Sequence, residues 1–147
     1  MELIPSPELS ETVALLERFD LPTSDLTPEL LKTFISARAA DSLLGVVGYE
    51  PYERIGLLRS LAVLPTTQCL GLGARLVERI ERLAHENGVE SLYLLTTDAD
   101  RYFEKRGYAS IEREDVPEVI RTTAQFSSLC PGSATVMVKS LHTTKID

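Results

Sequence analysis

Long apolar runs, paired cysteines and clustered histidines are all missing from this chain of 147 residues. No apolar stretch approaches the roughly 20 residues that a membrane helix needs, and Met1-Glu2-Leu3 lacks the basic start of a secretory signal. A cytoplasmic protein is expected. Cys69 and Cys130 show no CxxC spacing and the two histidines lie apart, which argues against a disulfide framework or a zinc site, so no metal is expected. Positive charge is also short: 15 Lys and Arg face 22 Asp and Glu, a net charge of −7 that repels nucleic acid and anionic membrane. The one basic cluster, Arg75, Arg79 and Arg82, is interleaved with Glu78 and Glu81 and reads as a solvated helix face. What is present is a hydrophobic fraction of 44%, enough for a real core, at a length that fits one domain spanning residues 1–147. No internal repeat, low-complexity tract or linker interrupts it.

Hydrophobic periodicity orders the elements. Leu3-Ile4 predicts a short first strand, and Ser6-Pro7-Glu8 a helix start with a capping hydroxyl and a proline in the first turn. Leu9, Val13 and Leu16 carry that helix until Leu21-Pro22, and Thr27-Pro28-Glu29 opens a shorter one. Thr33 to Ala39 and Leu43 to Tyr49 predict a hairpin, ended by Pro51, with Leu57 to Val63 as the next strand. Leu72, Leu76, Ile80 and Leu83 then make the apolar stripe of a helix that stops at Asn87-Gly88. Ser91 to Thr97 follows as a strand, parallel to Leu57–Val63 by the right-handed crossover rule. A short helix from Arg101 to Arg106, capped by Asp98 or Asp100, precedes a strand from Tyr108 to Arg113. Pro117 to Cys130 is read as a helix and a loop, and Ala134 to Lys139 as the last strand.

The chain is organised around Leu57 to Asn87: a buried strand, a turn Gln68-Cys69-Leu70-Gly71-Leu72-Gly73, and an amphipathic helix. Gly71 and Gly73 allow close approach of the backbone to a ligand, and a helix start leaves N–H groups free to hold a phosphate. Two phosphate-binding patterns fail. A dinucleotide fingerprint needs a third glycine and an acid about 20 residues onward, and a Walker loop needs Gly-Lys-Ser or Gly-Lys-Thr where this chain has Gly73-Ala74-Arg75.

The third pattern, Gln/Arg-x-x-Gly-x-Gly/Ala, is matched by Gln68 to Gly73 and resembles the pyrophosphate turn of the GNAT superfamily of acyl-CoA N-acyltransferases. The strand ending Leu61-Ala62-Val63 with Pro65 before the turn, and the string Tyr102-Phe103-Glu104-Lys105-Arg106-Gly107-Tyr108, resemble the same superfamily. The resemblance implies an α+β fold in three layers, with a mixed, mostly antiparallel sheet between helices, splayed where acetyl-CoA binds as co-substrate. It assigns the coenzyme to Leu61, Ala62, Val63, Gln68, Cys69, Leu70, Gly71, Leu72, Gly73 and Ala74, with Phe103 against its arm. An amine would attack the thioester, and a backbone N–H near Val63 would hold the oxyanion.

Two positions depart from the superfamily's common pattern. Arg59 stands where many members carry a glutamate base, which leaves Glu50, Glu53 or an already neutral amine to meet that need. Phe103 stands where many carry a tyrosine acid, and Tyr102, Tyr108 or solvent would protonate the thiolate. Glu50 and Tyr102 are the catalytic candidates. The planar fork of Arg59, beside Ser60, suits a carboxylate or else a salt bridge within the domain. The C-terminal third, with Arg121, Gln125-Phe126 and Leu129-Cys130-Pro131, resembles the small GNAT branch found with arsenic-resistance genes, related in style to N-acetylglutamate synthases. That implies an amino-acid-like acceptor, glutamate-like or organoarsenical, whose carboxylate Arg59, Ser60, Arg121 and Gln125 would surround. A homodimer is implied by the resemblance alone. A coenzyme-binding sensor or interaction module, and a protein N-acetyltransferase, are the alternatives.

Overall fold

The structure is a computed structural model that describes residues 2–65, 71–126 and 134–141. Gln68, Cys69 and Leu70 of the expected coenzyme turn, and Cys130 with Pro131, lie outside the described residues. One sheet of seven strands runs in the order β1-β2-β3-β4-β5-β7-β6. Its strands are β1 (Glu2–Pro5), β2 (Phe34–Ala39), β3 (Ser42–Tyr52), β4 (Ile55–Val63), β5 (Ser91–Thr96), β6 (Ala109–Ile111) and β7 (Thr135–Ser140). Helices α1 (Leu9–Glu17), α2 (Leu72–Glu86), α3 (Asp100–Lys105) and α4 (Glu118–Arg121) lie among the described residues, with short 3-10 turns at Leu30–Thr33 and Arg113–Asp115. The expected mixed sheet with helices on both faces is what forms. No helix among the described residues is long and apolar enough to cross a membrane.

Strand alternation sends the two faces to different cores. Ile35, Ala37, Val47, Tyr49 and Leu58 pack with Leu72, Leu76, Val77 and Ile80 of α2 and with Phe103 of α3. On the other face, Phe34, Val46 and Ala62 meet Leu15 and Leu16 of α1, while Leu57 and Val136 meet Val116 and Ile120. The periodicity of α2 is therefore what seats it on the sheet.

Local chemistry corrects four boundaries. The α1 cap is not Ser6 but Glu8, whose carboxylate accepts from the N–H groups of Ser10 and Glu11. Pro51 does not end β3; it pairs opposite Gly56. Thr33 Oγ1 donates to the Tyr49 carbonyl, so Tyr49, and with it Pro51 two residues on, faces the side of β2 but beyond Phe34, the residue at which β2 begins. A missing N–H costs nothing there. The short helix α3 is capped by neither aspartate: Thr96 Oγ1 instead accepts from the Ala99 N–H. Finally, the strand expected from Tyr108 to Arg113 shrinks to β6, because Arg113–Asp115 closes into a 3-10 turn.

The core also holds two phenols that resist ionisation. Burial pushes Tyr108 well above the ordinary phenol range, helped by its hydrogen bond to Glu81, and burial with a bond to Glu50 does the same to Tyr52. Folded-state values raised above the unfolded ones mean that stability is intact below about pH 10 and declines above it, as the unfolded chain loses protons first. Buried Tyr108 is expected to steepen that decline by up to about 1.4 kcal/mol per pH unit, and the partly exposed Tyr52, screened by solvent, by less. Urea midpoints between pH 8 and 11 check this, and Tyr108→Phe should flatten the slope.

Candidate active site

β4 and β5 pair in parallel through Ile55–Ser91, Gly56–Leu92 and Leu57–Tyr93, and then part. Beyond that point β4 runs on to Val63 and β5 to Thr96, leaving a gap at their carboxyl ends. This is the place where an open α/β sheet offers a ligand crevice. A cavity of about 520 Å³ occupies it, lined by Leu61, Ala62 and Val63 of β4, Gly71, Gly73 and Ala74 at the start of α2, Asp98, Ala99, Tyr102 and Arg106 around α3, and Phe19 after α1.

Two features of β4 and α2 shape the walls. Ser60 adopts φ 64°, a left-handed conformation that is rare for a residue with a side chain, where one extra β4 residue is accommodated between the Gly48–Arg59 and Val46–Ala62 pairs. This bulge re-aims Leu61 to Val63 into the cavity, as bulges do beside active sites. At the start of α2, Gly71 takes φ 73° and its carbonyl accepts from Arg75 N–H at 3.2 Å. Gly73 has another role: a Cβ there would lie 2.7 Å from Tyr102 Oη and 3.8 Å from Val63 Cγ2. Glycine lets α2, the Tyr102 hydroxyl and Val63 meet at one spot.

Tyr102 is the one hydroxyl-bearing side chain among the described lining residues, and its buried oxygen has no hydrogen-bond partner among them. Buried polar atoms are normally satisfied, so an orphan facing a cavity marks where a ligand group belongs. Arg106, four residues along, places its guanidinium 4.9 Å from the Tyr102 ring centroid, and its buried Nε is likewise without a partner. Glycine-built walls and two unsatisfied donors fit a long, polar, phosphate-bearing ligand such as coenzyme A. Phe103, expected against the coenzyme arm, is instead buried in the core, edge-on to both Tyr102 and Tyr108. The helix turns about 100° per residue, so only one of these neighbours can face the gap. Leu72 is likewise buried against the sheet, leaving its backbone alone for a ligand.

Of the expected acceptor residues, Arg59 and Ser60 are engaged within the chain itself. Arg59 is buried, with 1% of its side chain exposed, and its fork is taken by the chain's own acids. Nη1 donates to Asp25 Oδ2 and to Glu50 Oε2, both at 2.6 Å, Nη2 to Asp25 Oδ1 at 2.9 Å, and Nε to Ser60 Oγ at 3.0 Å. Burial opposes the charge, but the bonds to Asp25 and Glu50 outweigh it and hold the guanidinium more firmly protonated than usual. The expectation of a substrate carboxylate on Arg59 is therefore corrected in favour of the internal salt bridge. Glu50, expected as the base, has both oxygens occupied, by Tyr52 Oη and Arg59. Arg121 is exposed in the last turn of α4, whereas Gln125 is buried. Sequence reasoning missed Asp25 and Arg106. Asp25 carried no local signal, but the i, i+4 spacing of Tyr102 and Arg106 on one helix could have revealed their pairing.

Known proteins share this sequence pattern and fold. Residues 4–108 match the Acetyltransferase (GNAT) family. An amino-acid acetyltransferase of Ralstonia nicotianae is 36% identical over 78 residues, which are 52% of this chain and 17% of that protein. An uncharacterized N-acetyltransferase of Chlorobaculum tepidum is 32% identical over 93 residues, 63% of this chain and 59% of that protein. N-acetylglutamate synthase from Neisseria gonorrhoeae, complexed with coenzyme A and N-acetyl-glutamate, shares the fold with a TM-score of 0.84 over 97% of this chain and 35% of that one, at 20% identity. This chain thus spans less than two thirds of the length of each of these relatives. With a family match that spans residues 4–108, most of its length, the chain belongs to the GNAT acetyltransferase family.

Proposed function

We propose that this protein transfers an acetyl group from acetyl-CoA to the amine of a small amino-acid-like acceptor. The observation that carries this is the cavity between the parted β4 and β5, walled by Gly71, Gly73 and Ala74 and holding a Tyr102 hydroxyl that has no partner among the described residues. Main-chain N–H groups at the start of α2 hold the diphosphate, and Leu61 to Val63 lie along the pantetheine arm. A backbone N–H near Val63 steadies the oxyanion, electrostatic help that needs no special side chain. Tyr102 hands a proton to the departing thiolate. Because Glu50 already accepts from Tyr52 and Arg59, the amine's proton leaves to solvent water.

An amino-acid acceptor is supported by the amino-acid acetyltransferase relative and by the N-acetyl-glutamate in the synthase complex. Exposed Arg121 is the group we assign to its carboxylate, with buried Gln125 four residues on. Resemblance to the arsenic-associated branch adds glutamate-like organoarsenicals to the acceptors, and resemblance to the GNAT superfamily at large adds two copies pairing as a dimer. The test is thiol release from acetyl-CoA across a panel of glutamate, other amino acids, an organoarsenical glutamate analogue and a lysine peptide. Release with an amino acid, together with an acceptor KM raised at least about tenfold by Arg121→Ala, is the expected result. Release with the peptide alone would make the protein a peptide acetyltransferase. Tight coenzyme binding with no release for any amine would favour a coenzyme-binding module, in line with Phe103 standing where many members carry the tyrosine acid.

A further inference from the structure

We infer that Arg106, outside the glycine turn, is a phosphate-binding residue for the nucleotide part of the coenzyme, with the Tyr102 ring as its platform. The inference rests on the coenzyme site proposed above. Arg106 is the one cation among the described residues lining the cavity, where Asp98 is the one acid. Its Nε is buried without a partner among the described residues, and no ion pair in the described structure engages its guanidinium. Its own carbonyl is fixed by Lys139 Nζ at 2.8 Å, so the end of α3 from which it projects is anchored to β7. Helical side chains lean toward their helix's N-terminus, which for α3 is the cavity end beside Ala99 and Tyr102.

A buried donor on a permanently charged group, left unsatisfied, calls for an acceptor of opposite charge. The planar guanidinium matches a phosphate's oxygens two at a time, and stacking on Tyr102 holds its plane in advance. On a chain of net charge −7, such a cation offsets the repulsion that a polyanionic nucleotide would meet. The turn then supplies neutral main-chain donors and Arg106 the charge.

Calorimetric titration of the full chain with coenzyme A, dephospho-coenzyme A and pantetheine tests this without reference to turnover. For Arg106→Met, coenzyme A affinity is expected to fall about 10- to 100-fold while pantetheine affinity stays the same. An equal loss for dephospho-coenzyme A assigns the diphosphate; a loss confined to coenzyme A assigns the 3′-phosphate. Arg106→Lys keeps the charge without the fork and should fall between wild type and Arg106→Met. Unchanged coenzyme A affinity in both variants, an equal loss for pantetheine, or a change in acceptor KM alone would overturn the inference. A wild-type protein that binds none of the three probes would instead remove the coenzyme site itself.

Discussion

Replacing Arg59 by alanine should destabilise the fold by about 3–5 kcal/mol, as much as removing a large core side chain. Arg59 is shared by Asp25 and Glu50, and its removal leaves two carboxylates facing each other, with Glu50 almost fully buried. The cost comes chiefly from those abandoned charges. Arg59→Met together with Glu50→Gln, which takes out a charge of each sign, should therefore recover much of the loss. Urea unfolding checks both, and a double variant no more stable than Arg59→Ala would mean that the pairing is not what holds this region. Because Asp25 lies between α1 and the 3-10 turn at Leu30–Thr33, the same ion pair ties that connection to the middle of β3 and β4.

Gly73→Ala should weaken coenzyme A binding about 5- to 150-fold, corresponding to about 1–3 kcal/mol of overpacking. The added methyl would come to 2.7 Å from Tyr102 Oη, which is too close, but to 3.7 Å from Tyr102 Cζ, which is ordinary contact. Removing the oxygen removes the conflict. Gly73→Ala with Tyr102→Phe should then regain most of the affinity while remaining slow in turnover, since the proposed acid is gone. The helix itself should not suffer, because alanine is favoured over glycine in a helix by about 1 kcal/mol. Titration with coenzyme A and a thiol-release assay on the four proteins of this cycle measure the coupling. Additive losses would mean that the hydroxyl and the glycine do not meet.

The two predictions mark where sequence reasoning succeeded and where it stopped. Gly73 was legible because glycines between a buried strand and an amphipathic helix point to close approach, and Leu61 to Val63 because the strand leads straight into that turn. The parallel pairing of β4 and β5 followed from crossover handedness. Arg59 was not legible in the same way. Its partner Asp25 is 34 residues earlier, in a stretch whose Pro, Thr and Ser content announces only a turn, and no periodicity links the two. Phe103 left its expected place on the coenzyme arm for a different reason. A family pattern locates a helix to within a residue, yet a helix rotates a side chain from cavity to core over that single step. Pro51 within β3 depended on knowing where β2 begins.

The short seam between β4 and β5 has a mechanical consequence. Strands β1 to β4 form one leaf and β5, β7 and β6 another, joined within the sheet by three residue pairs at Ile55–Leu57 and Ser91–Tyr93. A wedge driven into the mouth of the gap would open the angle between the leaves before it disturbed the register within either. Tolerance for acyl groups longer than acetyl would then be governed by how far this hinge yields, and stiffening the seam would narrow the range of donors accepted.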